Sequence, residues 1–343
     1  LHLPGSSEDS EPALLSEEEL QVTKTGNVLR DYRGKSTFDL NLEAYRKHEL
    51  KLVESRRDWE QHIQGVRKST TKLFEKGPLL KDHVQYMGGY QRDGYQVNKY
   101  FLENEEDGAL PFLLMEPSNP NRKVIIYLHE EGKAKEALPG GEIEQFVKRG
   151  YTVMAADLPG IGETGPGQFD RIILGNKSYS LWFGSILIGQ SIVEIRTTGI
   201  LRLIQYLKTQ PDLNSEHIIG IARDELTTSL LQAAILDPAI KSIVLERPLH
   251  SFASIVEHRD YDPDLIHGLI AGSLRSYDFI DLLACVAPRK LLVINPVDHQ
   301  RQLITEAENM RFVRQAYQHA ADKYRVVYGN EMVDSGVLAD WLE

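Results

Sequence analysis

The rhythm of apolar and polar positions changes near residue 94. Before it, Leu42, Tyr45, Leu50, Val53, Trp59, Ile63 and Val66 recur at near-helical spacing among Lys, Arg and Glu. That spacing predicts one or two amphipathic helices between Asn41 and about Glu75. Residues 21–40 alternate in short steps around Gly26 and Gly34 and predict a short hairpin. Residues 1–20 combine Pro, Gly, Ser and six acids with few large apolar groups, and predict a disordered acidic tail or linker. Beyond Gly94, short runs rich in Val, Ile and Leu alternate with helical periodicity. Tyr95–Glu103 and Leu110–Glu116 read as an antiparallel pair joined by the acidic turn Asn104–Gly108. Six further strands are expected at Lys123–His129, Tyr151–Asp157, His217–Ala222, Ser242–Glu246, Lys290–Asn295 and Tyr324–Tyr328. Helical segments are expected near Glu142–Arg149, Ser185–Lys208, Glu225–Leu236, Ile266–Leu283 and Ile304–Ala320.

Continuous apolar strands separated by crossovers of this length demand a mostly parallel sheet with helices on both faces. An antiparallel start and eight strands fit the α/β-hydrolase architecture. The organisation expected is therefore a tail (1–20), a mainly helical N-terminal extension (21–94) and an α/β-hydrolase domain (95–343). No internal repeat interrupts it, and no apolar run approaches the roughly 18 residues that cross a bilayer.

Composition narrows the function. The 343 residues carry 39 Lys and Arg against 50 Asp and Glu, a net charge of −11 that disfavours nucleic acid as a partner. The single cysteine, Cys285, excludes a disulfide framework within the chain and sits among apolar neighbours, as a buried small hydrophobe would. No His/Cys cluster suggests zinc, and Gly160-Ile-Gly162 lacks the rest of a dinucleotide fingerprint, so neither a metal nor a cofactor is expected.

Ligands of wound sheets bind outside the carboxyl ends of the strands. These ends read His129-Glu130-Glu131-Gly132, Asp157-Leu-Pro-Gly-Ile-Gly162, Gly220-Ile-Ala222-Arg223-Asp224-Glu225, Glu246-Arg-Pro-Leu-His250-Ser251 and Asn295-Pro-Val-Asp298-His299. With Asp157-Leu-Pro-Gly-Ile-Gly-Glu163 and Ala287-Pro-Arg-Lys-Leu-Leu-Val-Ile-Asn-Pro-Val-Asp298, the chain resembles α/β-hydrolases of the acetyl xylan esterase and dienelactone hydrolase type from about Tyr95 to Tyr328. The resemblance implies a secreted or periplasmic carbohydrate esterase acting on esterified glycans. It also implies a Ser nucleophile on a G-x-S-x-G turn, followed in the chain by an acid and then a His.

The matching turn, Gly220 to Asp224, places Ala222 at the nucleophile position and Asp224 at the following glycine. Asp298 matches the acid. No His follows His319, and His319 lies in an amphipathic helix where a surface role is expected. Glu130, in place of an oxyanion-loop glycine after His129, would repel a developing oxyanion. The leading expectation is thus an esterase homologue that has lost its Ser-His machinery. It would act as a non-catalytic or glycan-binding module in polysaccharide breakdown, beside a companion catalytic module in a longer chain. The competing expectation is an active ester hydrolase with a relocated apparatus, His299 as base and Ser251 as nucleophile, against the plainer reading of Ser251 as a helix cap. A third uses Glu130, Glu131, Asp157, Asp224, Glu225, Glu246 and Asp298 as a cation site or a carboxylate pair. The expected pocket comprises His129, Glu130, Asp157, Arg223, Asp224 and Trp182, with Tyr179, Trp182 and Phe183 as aromatic groups able to stack on sugar rings or simply to pack.

Overall fold

A computed structural model describes residues 13–74, 79–165, 173–174, 177–304, 310–329 and 335–342. Its centre is a nine-stranded sheet in the order β1-β2-β3-β5-β4-β8-β9-β10-β11. The strands are β1 (His83–Arg92), β2 (Tyr95–Asn104), β3 (Gly108–Pro117), β4 (Val124–Leu128), β5 (Thr152–Ala156), β8 (Ile218–Arg223), β9 (Ile240–Glu246), β10 (Lys290–Ile294) and β11 (Tyr324–Val327), with β6 (Ile173–Leu174) and β7 (Lys177–Ser178) forming a separate ribbon. The three-strand meander and its junction with β5 are antiparallel, and the rest of the sheet is parallel. This is the α/β-hydrolase arrangement, with all eight expected strands in place and β1 added at the edge.

Both faces of the sheet are covered, and β4 shows why its sequence is unbroken in hydrophobicity. Val124, Ile126 and Leu128 enter one core while Ile125 and Tyr127 enter the other, as the two-residue period of a strand requires. The first core takes α7 (Ile192–Lys208), α8 (Leu226–Leu236) and α10 (Phe279–Cys285); the second takes α5 (Glu142–Lys148) and α12 (Ser335–Leu342).

The N-terminal segment differs from expectation in part. Of the expected tail, residues 1–12 lie outside the described residues, and α1 (Glu17–Leu20) is one exposed turn closed by a Ser16–Glu19 capping box. The hairpin expected over 21–40 is absent there; α2 (Val28–Tyr32) and the start of α3 (Thr37–Ser55) occupy those residues, each begun by an Asn or Ser cap. The amphipathic helices are α3 and α4 (Trp59–Leu73), and α4 drives Ile63 and Val66 into the first core. Two tethers fix these helices. Arg56 clamps the fully buried Asp281 at 2.8 and 2.7 Å, with His62 Nε2 a further 3.1 Å away, and Arg67 donates to the Cys285 carbonyl.

Two expected helices are also broken: Gly189 and Gln190 divide 185–208 into α6 (Tyr179–Leu187) and α7, and short 3-10 turns replace helix over 263–275 before α10; of the helix expected over 304–320, residues 305–309 lie outside the described residues and α11 spans Met310–Ala316. The remaining short helix, α9 (Ala253–Glu257), follows β9.

Candidate active site

The strand-to-helix turn that would carry a nucleophile follows β8. Gly220, the glycine on which a G-x-S-x-G reading rests, lies inside the strand, where any Cβ would meet Leu230 of α8 at 2.6 Å. It is a packing glycine. Ala222 is likewise within β8 and fully buried, so the nucleophile position expected there is corrected. The left-handed backbone that a nucleophile elbow needs falls two residues later, at Asp224, with φ +47°. Asp224 holds the apex between β8 and α8, and its carbonyl accepts from the Thr227 amide.

The Asp224 side chain is 7% exposed and ion-paired. Oδ1 lies 2.6 Å from Arg301 Nη2, and Arg247 Nε lies 3.7 Å from Oδ2. Burial raises the carboxyl above its ordinary value, opposed mainly by Arg301. Arg301 comes from the loop after β10, where the family acid was expected. There Asp298 Oδ1 accepts from the amides of Gln300 and Gln302, and its carbonyl accepts from the Arg301 amide. Asp298 therefore shapes the turn that delivers Arg301 to Asp224.

Beside the elbow, Arg223 joins three strand ends. It reaches Glu142 at 2.6 Å, Glu246 at 2.7 Å and His129 Nε2 at 3.2 Å, and lies over the Tyr127 ring. Burial and then the Arg223 charge lower His129 to about 4, so its imidazole is neutral at physiological pH. Burial raises Glu246, with Arg223 opposing. Glu130 adds a repulsive charge to both Asp224 and Glu246. Glu130, Asp224 and Glu246 lie within electrostatic reach of one another, with Arg223, Arg247 and Arg301 among them.

Asp157 belongs to a different arrangement. It accepts from the Lys133 amide and ammonium and from the Glu163 amide, and its carboxylate fills the space a Cβ on Gly162 would need. The side chains of His129, Glu130 and Glu131 offer ligand atoms within 4.8 Å of one another. Glu131 also pairs with Lys135 at 2.8 Å, and its amide donates to His129 Nδ1 at 3.0 Å.

The relocated pair is not assembled. Ser251 is buried, donates to Asp278 and accepts from the Ala253 amide, a turn-stabilising role close to the expected cap. His299 instead stacks on His258, ring centroids 3.7 Å apart. Trp182 and Tyr179 line a groove of about 980 Å³ with Tyr45, His48, Ile266 and Leu269. None of the elbow residues lines it, and α3 of the N-terminal extension supplies one wall. Arg301 and Arg247 are the site residues sequence reasoning missed. A basic residue three places after the acid was the only available signal.

The model of the Abhydrolase family matches residues 42–332. None of the curated proteins matches the sequence. Among solved structures, a candidate acetyl xylan esterase from Bacteroides fragilis superposes with TM-score 0.67 at 18% identity, covering 91% of this chain and 86% of that one. Acetyl xylan esterase 1 from Thermoanaerobacterium sp. gives 0.51 at 13% identity, covering 84% and 96%. A promiscuous CE15 esterase from a marine bacterial metagenome gives 0.53 at 14% identity, covering 80% and 89%. At these identities the likeness is one of fold.

Proposed function

The chain belongs to the Abhydrolase family, and on that footing we propose that it is a carbohydrate-esterase-like domain whose nucleophile seat has become an ion pair, serving polysaccharide breakdown as a non-catalytic or glycan-binding module. The observation that carries this reading is Asp224 at the positive-φ apex, 2.6 Å from Arg301. Serine-type acyl transfer needs a hydroxyl at that apex, a His to take its proton and donors facing the oxyanion. Here a carboxylate neutralised by arginine occupies the apex, Asp298 holds backbone amides, and Glu130 brings negative charge to the seat. The segment after the last strand, Tyr328-Gly-Asn-Glu-Met-Val-Asp334, carries no His. Tyr179 and Trp182 of the groove offer rings for stacking on a sugar. Action outside the cytoplasm is part of the proposal and is checked by fractionating cells that express the full-length protein.

A second reading, an active ester hydrolase, draws on one observation. Asp224, Arg247, Asn295 and Arg301 all hold positive φ at or just beyond the carboxyl ends of β8, β9 and β10, and such strain concentrates where a site is in use. Release of acetate and methanol from acetylated and methyl-esterified glycans, followed by NMR, separates the two. Expected is no turnover by the native chain, with glycan binding weakened by Trp182→Ala. Turnover at ordinary enzymatic rates, abolished by Asp224→Asn, would sink the first reading and leave the second.

A further inference from the structure

From Ser178 to Val193 the chain runs sixteen residues without a charged side chain, in a sequence that is 26% charged. Most of this stretch is α6 and the turn after it. Its outward side chains are large and apolar: Leu187 is 86% exposed, Ile188 67%, Phe183 50% and Ile186 48%. Water-facing helix surfaces ordinarily carry charge, and a contiguous apolar tip of this kind marks an interaction site. The tip is continuous with the groove, because Ile186 belongs to both and Trp182 and Tyr179 stand just behind it.

We propose that this tip docks the protein onto a lipid surface with zwitterionic headgroups. Four side chains fall well short of the roughly 800 Å² per partner that a standard protein interface buries, which argues against a second copy of the chain. Amphipathic rings behind an apolar tip match the layering of a bilayer interface, where indole and phenol sit at headgroup depth. Charge selects the headgroup: the net charge is −11, so an anionic surface is repelled. Among the described residues no helix is long and apolar enough to cross a membrane, so the contact is interfacial. The proposal is independent of whether the elbow turns over an ester.

The test is co-sedimentation of the full chain with phosphatidylcholine vesicles, together with quenching of tryptophan fluorescence by brominated phosphatidylcholine. Native protein is expected to bind and be quenched, and to bind less well when phosphatidylglycerol is added. Leu187→Asp/Ile188→Asp should weaken binding by at least about tenfold, with an unchanged circular dichroism spectrum. Val22→Asp, at a position 93% exposed elsewhere, should bind as native. Absence of binding, equal loss in Val22→Asp, or tighter binding to phosphatidylglycerol would overturn the proposal. So would light scattering showing that the double variant merely dissolves a dimer that has no affinity for vesicles.

Discussion

Arg301→Ala tests the ion pair at the elbow most directly. The substitution leaves Asp224, 7% exposed, with Arg247 at 3.7 Å as its remaining cationic partner. Removing one member of a buried pair typically costs about 3–5 kcal/mol. The Arg301 side chain is 26% exposed and Arg247 stays in place, so the cost falls just below that range, at about 2–3 kcal/mol. In a chain of this size that is a fall of roughly 5 °C in Tm. The cost has a sign in pH. Burial already holds the Asp224 carboxyl above its ordinary value, and losing Arg301, its largest opposing influence, raises it further. A carboxyl raised in the folded state penalises folding only where the unfolded chain is ionised. The deficit of Arg301→Ala is therefore full above the variant's raised carboxyl value, shrinks as pH falls through it, and is gone once the carboxyl is protonated in both folded proteins. Urea denaturation of native, Arg301→Ala, Asp224→Asn and the double variant at pH 7 and pH 4 measures it. The double variant should recover to within about 1 kcal/mol of Asp224→Asn. A deficit equal at both pH values, or a double variant less stable than Arg301→Ala alone, would show that Arg301 acts by packing and not by charge.

Asp281 runs the opposite way: burial pushes its carboxyl up, but hydrogen bonds from His62 and Arg56 hold it below its ordinary value. It contributes stability above the unfolded carboxyl range that is lost as pH falls through the depressed value, so Asp281→Asn should cost about 3 kcal/mol at pH 7 and flatten the acid limb of a pH–stability curve. Gly162→Ala should destabilise by about 3 kcal/mol in urea denaturation, because φ is +55° and the new methyl would clash with the Asp157 carboxyl group. The His129 ring should show no imidazolium signal by NMR until pH nears about 4. Cys285, 1% exposed and pushed up to about 12 by burial, should resist a thiol reagent until the protein unfolds.

The parallel strands were legible because their apolar runs follow from burial on both faces, as the five fully buried residues of β4 illustrate. Edge strand β1 carried no such mark: His83–Arg92 is mostly exposed and mixes Gln, Gly and Tyr, so neither alternation nor an apolar run announces it. The hairpin expected over 21–40 failed because Gly26 and Gly34 punctuate short capped helices there. At the elbow, Gly220 supplied a motif register by coincidence of packing, while a positive φ at a non-glycine residue such as Asp224 leaves no trace in composition. The pairing of Asp224 with Arg301 joins residues 77 positions apart, a separation that only the wound sheet closes.

The tethers of α3 and α4 set an order on how the chain acquires its structure. Arg56 waits for a partner 225 residues downstream, and Arg67 for one 218 residues downstream. At 5–20 residues per second, synthesis leaves roughly 11–45 s between the emergence of these helices and that of the groups that satisfy them. Throughout that interval Ile63 and Val66 lack the part of their core that α10 supplies. Helices α3 and α4 emerge well before the groups that secure them, so the nascent chain carries a sticky amphipathic helix throughout that interval. Holding that helix away from other nascent chains becomes a task for chaperones, and chains cut short before residue 279 should aggregate, not fold into a smaller domain.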